Sequence, residues 1–64
     1  MADYTRKVLK ILSENGCYFV RRGKGDHSIW YTPILDRNFA VDGSIEKRTS
    51  ANWTLKNAGI NKRI

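Results

Sequence analysis

The chain contains one histidine, His27, and one cysteine, Cys17. His27 directly follows the run Gly23-Lys24-Gly25-Asp26, and Arg21 and Arg22 stand just before that run. An imidazole both takes and gives a proton near neutral pH. Held beside several cations, it suits the cleavage of RNA, which needs a base for a 2′-hydroxyl and donors that offset charge on a five-coordinate phosphate. Lys24 and Arg22, with Arg21, Lys47 and Arg48, are the candidate phosphate-binding residues. The competing reading makes His27 a polar residue at a strand end with no chemical task. A single imidazole does not fill both proton-transfer roles at once, so a water or a second group, which the sequence does not identify, has to assist.

Other chemistries find little support. One His and one Cys do not make a protein-only zinc site without carboxylate ligands, and no such cluster is visible. Asp26, Asp36, Asp42 and Glu46 are scattered through turns and loops, where they read as turn formers rather than as the tight carboxylate set of a two-metal nuclease. No metal and no cofactor is therefore expected. Gly23-Lys24-Gly25 matches neither a dinucleotide fingerprint nor a phosphate-binding loop of the Walker type. Cys17 follows the first helix in an apolar context and reads as core, because no second histidine is present to activate it.

The whole chain frames these residues narrowly. Its 64 residues allow one domain, 1–64. Twelve Lys and Arg against six Asp and Glu give a formal charge of +6, a field that attracts phosphates or acidic proteins. The longest uninterrupted apolar run, Cys17 to Val20, falls far short of the roughly 20 residues that span a bilayer. Met1-Ala2-Asp3 does not begin a secretory leader. The expectation is a small cytoplasmic protein that seeks phosphate.

The elements that must position His27 follow from periodicity. Tyr4, Val8, Ile11 and Leu12 form one apolar stripe, which predicts a helix over Asp3 to Asn15 with Asp3 as N-cap and Gly16 as its stop. Arg6, Lys7 and Lys10 lie on its other side, as a solvated face or as part of a phosphate-contacting surface. Strands are predicted over Cys17–Arg22, His27–Thr32 and Arg37–Val41, the last with Phe39 and Val41 on one face. Short connections between them imply an antiparallel meander. If Ile29 faces the helices, Trp30 lies on the open face, free either to stack on a base or to serve as sheet packing. A polar loop from Asp42 runs to about Thr49. A second helix, Ser50 to Ala58, is predicted with Thr49 or Ser50 as N-cap, Gly59 as stop, and Ala51, Thr54, Leu55 and Ala58 as its inner face. Trp53 sits about 200° from Ala51 on this helix and points away from that face. The fold class is thus α+β, helix–three-stranded antiparallel sheet–helix, with both helices on one sheet face.

The order of these residues resembles the HicA family of small toxins, the mRNA interferases of bacterial toxin–antitoxin pairs. The resemblance rests on Gly16, the turn Gly25-Asp26-His27, Ile29 to Tyr31 and the ending Ala58-Gly59-Ile60, in that order across nearly the whole chain. It departs at Asp26, where the family has serine, and around Ala40 to Asp42, where proline and histidine are common. It implies a fold similar to the double-stranded-RNA-binding domain, a catalytic histidine at His27, mRNA as substrate and an antitoxin of the HicB family as partner. The alternatives are a non-catalytic RNA-binding module of the same fold, or an interaction module that docks an acidic partner with Trp53 as anchor.

Overall fold

The computed structural model describes residues 3–64, so Met1 and Ala2, on which part of the leader reading rests, lie outside the described residues. Helix α1 spans Thr5–Glu14, strands β1, β2 and β3 span Tyr18–Arg22, Ser28–Thr32 and Arg37–Val41, and helix α2 spans Arg48–Asn57. The strands form one antiparallel sheet in the order β1-β2-β3. This is the expected α+β arrangement. Among the described residues no helix is long and apolar enough to cross a membrane.

Helix α1 forms where the apolar stripe predicts, and Val8, Ile11 and Leu12 are buried. The N-cap is Tyr4, not Asp3 as predicted; Asp3 stands one residue before it and accepts the Thr5 N–H at 2.9 Å, and that bond, with the Thr5 hydroxyl and Arg6 nearby, holds its carboxyl below the usual value. Gly16 ends the helix with φ +86°, and Gly59 does the same for α2 at +79°. A side chain at Gly59 would meet Leu35 at 2.8 Å and Ile34 at 2.9 Å, so the β2–β3 turn packs tightly against this helix end. Ala51, Thr54, Leu55 and Ala58 are buried, as their shared face requires, and Cys17 is buried as well.

Two further expectations are corrected. The first concerns the sheet faces. Trp30 pairs with Phe39, Ser28 with Val41 and Thr32 with Arg37, so Ser28, Trp30 and Thr32 face the helices while Ile29 and Tyr31 face outward. Thr32 is fully buried because its hydroxyl donates to the Ala58 carbonyl at 2.6 Å. The Trp30 indole N–H donates to the Ser28 hydroxyl at 3.1 Å. Trp30 therefore packs against the core, with Phe19 edge-on at 6.4 Å, and is no open stacking platform. On the outward face Tyr18 and Tyr31 lie 5.3 Å apart, and the Tyr31 hydroxyl donates to Asp36, which raises the phenol's pKa.

The second correction concerns the start of α2. Its backbone ladder begins with the Ala51 N–H on the Lys47 carbonyl at 3.0 Å, so Lys47 is the N-cap and Thr49 and Ser50 already lie inside the first turn. The reason is Ile45, only 1% exposed, in the loop expected to be polar. Its carbonyl accepts the Tyr4 N–H at 2.7 Å and its own N–H donates to the Thr5 hydroxyl at 2.8 Å. This anchor fixes where the chain re-enters regular structure.

A chain of this size holds about 3–10 kcal/mol of net stability, and truncating a buried Ile to Ala costs about 2–5 kcal/mol. Ile45→Ala is therefore expected to remove a large part of that stability, lowering the urea midpoint markedly, and Ile45→Val to cost about 0.5–1.5 kcal/mol. Urea denaturation followed by far-UV circular dichroism checks both. A midpoint unchanged in both variants would show that Ile45 is no anchor.

Candidate active site

The β1–β2 connection closes with the Gly23 N–H on the His27 carbonyl at 2.9 Å and the His27 N–H on the Lys24 carbonyl at 3.2 Å. Gly25 takes φ +65° at its tip, a conformation open to glycine at little cost. This tight turn places His27 at the end of the sheet where β1 finishes and β3 finishes too. There Arg22 pairs with Ser28, and Ser28 with Val41. The loop leaving β3 then passes directly over the turn. Gly43 lies so close that a Cβ on it would stand 2.6 Å from the Asp26 carbonyl oxygen.

That approach brings Asp42 onto the histidine. His27 Nε2 is 2.8 Å from Asp42 Oδ1, and Nδ1 is 3.1 Å from the Lys24 carbonyl oxygen and 3.7 Å from Asp26 Oδ1. The imidazole side chain is 47% exposed, so a ligand can reach it. Both ring nitrogens meet oxygen acceptors. A neutral imidazole donates through one nitrogen only, whereas the doubly protonated ring donates to both partners. Either ring nitrogen meets a substrate only after its own contact opens. Asp42 is the partner free to swing, because its side chain is half exposed while Lys24 contributes a backbone carbonyl fixed by the turn.

The expected phosphate-binding residues divide into groups. Arg22 and Lys24 share the His27 end of the sheet, and both are exposed. Arg21 pairs with Ile29 and so belongs to the outward face. Lys47 and Arg48 open α2, next to Thr49 and Ser50, which line a hollow of about 180 Å³ that also reaches Asp42. Among the described residues, no Lys or Arg stands within ion-pair distance of a carboxylate. The charged groups that pair with the ring are Asp42 and Asp26. Asp42 had read as a turn former. The signal that could have marked it is Gly43, which permits the close passage over Asp26.

Among the described residues no three acidic, His or Cys side chains gather to hold a metal ion. The geometry gives the reason at this site: Asp42 addresses Nε2 and Asp26 lies nearer Nδ1, so the two carboxylates reach different edges of the ring. Comparison of the chain with protein-family models, with curated proteins and with solved structures finds no match.

Because no side chain fits between Gly43 and Asp26, Gly43→Ala is expected to lift the loop and separate Asp42 from His27. Backbone amide shifts in a 1H–15N correlation spectrum should move at Asp26, His27 and Asp42 while those of α1 stay in place. Unmoved shifts at Asp26 and His27 would show that the two segments are not in contact.

Proposed function

We propose that the protein is a metal-independent endoribonuclease that cleaves mRNA, acting in the cytoplasm as the toxin of a toxin–antitoxin pair. The observation that carries this reading is the lone, half-exposed His27, held at both ring nitrogens by the Lys24 carbonyl and Asp42 at a sheet end that also bears Arg22 and Lys24. The resemblance to HicA toxins points the same way and supplies the partner class, a HicB-type antitoxin.

In the proposed reaction the 2′-hydroxyl of one nucleotide attacks its own 3′-phosphorus. The bond to the 5′-oxygen of the next nucleotide breaks, leaving a 2′,3′-cyclic phosphate and a 5′-hydroxyl. The hydroxyl proton leaves to a base, and the departing 5′-oxygen takes up a proton. His27 supplies the proton for the second transfer, with water as the acceptor in the first. Arg22 and Lys24 offset the charge that builds on the phosphoryl oxygens. Asp42 is a positioning residue: it fixes the plane of the ring and the nitrogen that faces it.

The competing reading is a non-catalytic RNA-binding module. One observation favours it: in the resting arrangement both ring nitrogens face protein oxygens. Cleavage assays separate the two. His27→Ala is expected to lower cleavage of a single-stranded oligoribonucleotide by at least about 10²-fold, to keep its affinity for RNA, and to relieve growth arrest on expression. Asp42→Asn, which keeps the shape but not the charge, is expected to lower kcat with little change in KM. A folded His27→Ala protein that cleaves at the parental rate, or a parent that binds RNA without cleaving it, would overturn the catalytic reading.

A further inference from the structure

Past α2 the chain doubles back on the helix. The Gly59 N–H donates to the Lys56 carbonyl at 2.9 Å and the Ile60 N–H to the Leu55 carbonyl at 3.0 Å, and Ile60 inserts into the core. Four residues on, Asn52 clasps the backbone of Ile64. Its Oδ1 accepts the Ile64 N–H at 2.7 Å and its Nδ2 faces the Ile64 carbonyl at 3.5 Å. Segment 60–64 is thereby tied to α2 at both ends, and the two enclose a groove of about 460 Å³.

The groove's chemistry is specific. Trp53, 65% exposed, forms one wall. Lys56, Lys62 and Arg63 supply three cations, Asn61 adds a side-chain amide, and no acidic residue lines it. Trp53 and Thr49 also border the smaller hollow that reaches Asp42, the partner of His27. The two depressions thus share a wall and lead from the groove towards the imidazole.

We propose that this groove binds a nucleotide of single-stranded RNA, with its base stacked on Trp53 and its flanking phosphates on Lys56, Lys62 and Arg63, and that the strand continues through the smaller hollow to His27. The inference rests on the ribonuclease reading and adds to it a substrate-binding subsite. Each base offers a face to an aromatic ring, and a cationic groove follows the backbone between bases. An acidic protein would also find cations here. Trp53 lies beside Lys56, Lys62 and Arg63 with Asn52 and Asn61 between, an aromatic face among cations that matches the alternation of base and phosphate along a single strand. The groove is formed in the free protein, so binding need not order the 60–64 segment.

The test is a fluorescence titration of the full chain carrying His27→Ala, which leaves RNA intact, with a single-stranded 12-nucleotide RNA and separately with polyglutamate. Tryptophan emission is expected to be quenched saturably by the RNA. Adding Trp53→Ala should remove that quenching and weaken binding about tenfold, while Trp53→Phe keeps most of the affinity. Lys56→Ala and Arg63→Ala should each flatten the slope of log affinity against log salt by about 0.7. Because Trp53 is exposed, circular dichroism should show all these variants folded. If RNA binds in a manner that depends on Arg22 and Lys24 but not on Trp53, the groove proposal falls and the ribonuclease reading stands. If no RNA binds, both fall. Binding of polyglutamate through Trp53 without binding of RNA would overturn the proposal in favour of an acidic protein partner.

Discussion

Ile45 is the residue on which the arrangement of this small protein most depends. Three strands of five residues and two helices of ten leave a thin core, and Ile45 closes it from outside any regular element. Burying a side chain of that size stabilises by about 1.5–3 kcal/mol, a large share of what a chain this short holds. The geometric effect is larger than the energy suggests. To bury Ile45, the chain leaving β3 must run back past the β1–β2 turn to the start of α1, where Tyr4 and Thr5 bind the Ile45 backbone. That route carries Gly43 across Asp26 and puts Asp42 against His27. Ile60 plays the same part at the other end of α2, drawing segment 60–64 against the helix and so making the groove beside Trp53. Two buried isoleucines in irregular segments set both surfaces to which function is assigned here.

Much of the scaffold was legible because its signals are local. Val8, Ile11 and Leu12 recur at helical spacing, and Gly16 and Gly59 each take the positive φ that ends a helix. The strand boundaries shift by a residue, with Cys17 and His27 just outside β1 and β2. The faces of β2 were not legible. Alternation separates Ser28, Trp30 and Thr32 from Ile29 and Tyr31, but it does not say which set is inside. The more polar set proves to be the one that faces the helices, and its polar groups find partners there: Thr32 on the Ala58 carbonyl, and Trp30 on the Ser28 hydroxyl. Hydrophobicity alone ranks such a strand backwards. A bulge between Phe19 and Arg21 adds to the difficulty, since it changes the alternation within β1.

The candidate site shows the same division. His27 stands out in sequence as a lone histidine beside a glycine-rich turn, and Arg22 and Lys24 are near it in the fold because they are near it in the chain. Asp42 is fifteen residues away and reaches the ring through a tertiary contact that no local pattern encodes. Its arrival changes the electrostatics of the site. A ring flanked by Asp42 and Asp26 does not attract phosphate by itself, so under the proposed function the affinity for RNA comes from cations beyond the ring. The chain's +6 charge supplies these. In the proposed reaction the carboxylates orient the proton donor while the cations hold the strand, a separation that lets binding and proton transfer be tuned by different residues.

In the proposed reaction the RNA's own 2′-hydroxyl is the nucleophile and His27 manages the protons. Mass spectrometry of the products from a defined oligoribonucleotide, cleaved by the full chain in excess EDTA, tests this most directly. The expected products carry 2′,3′-cyclic phosphate and 5′-hydroxyl ends, with no cut at a position carrying a single 2′-deoxy substitution. Products with 3′-hydroxyl and 5′-phosphate ends, or cleavage that persists at the deoxy position, would contradict it.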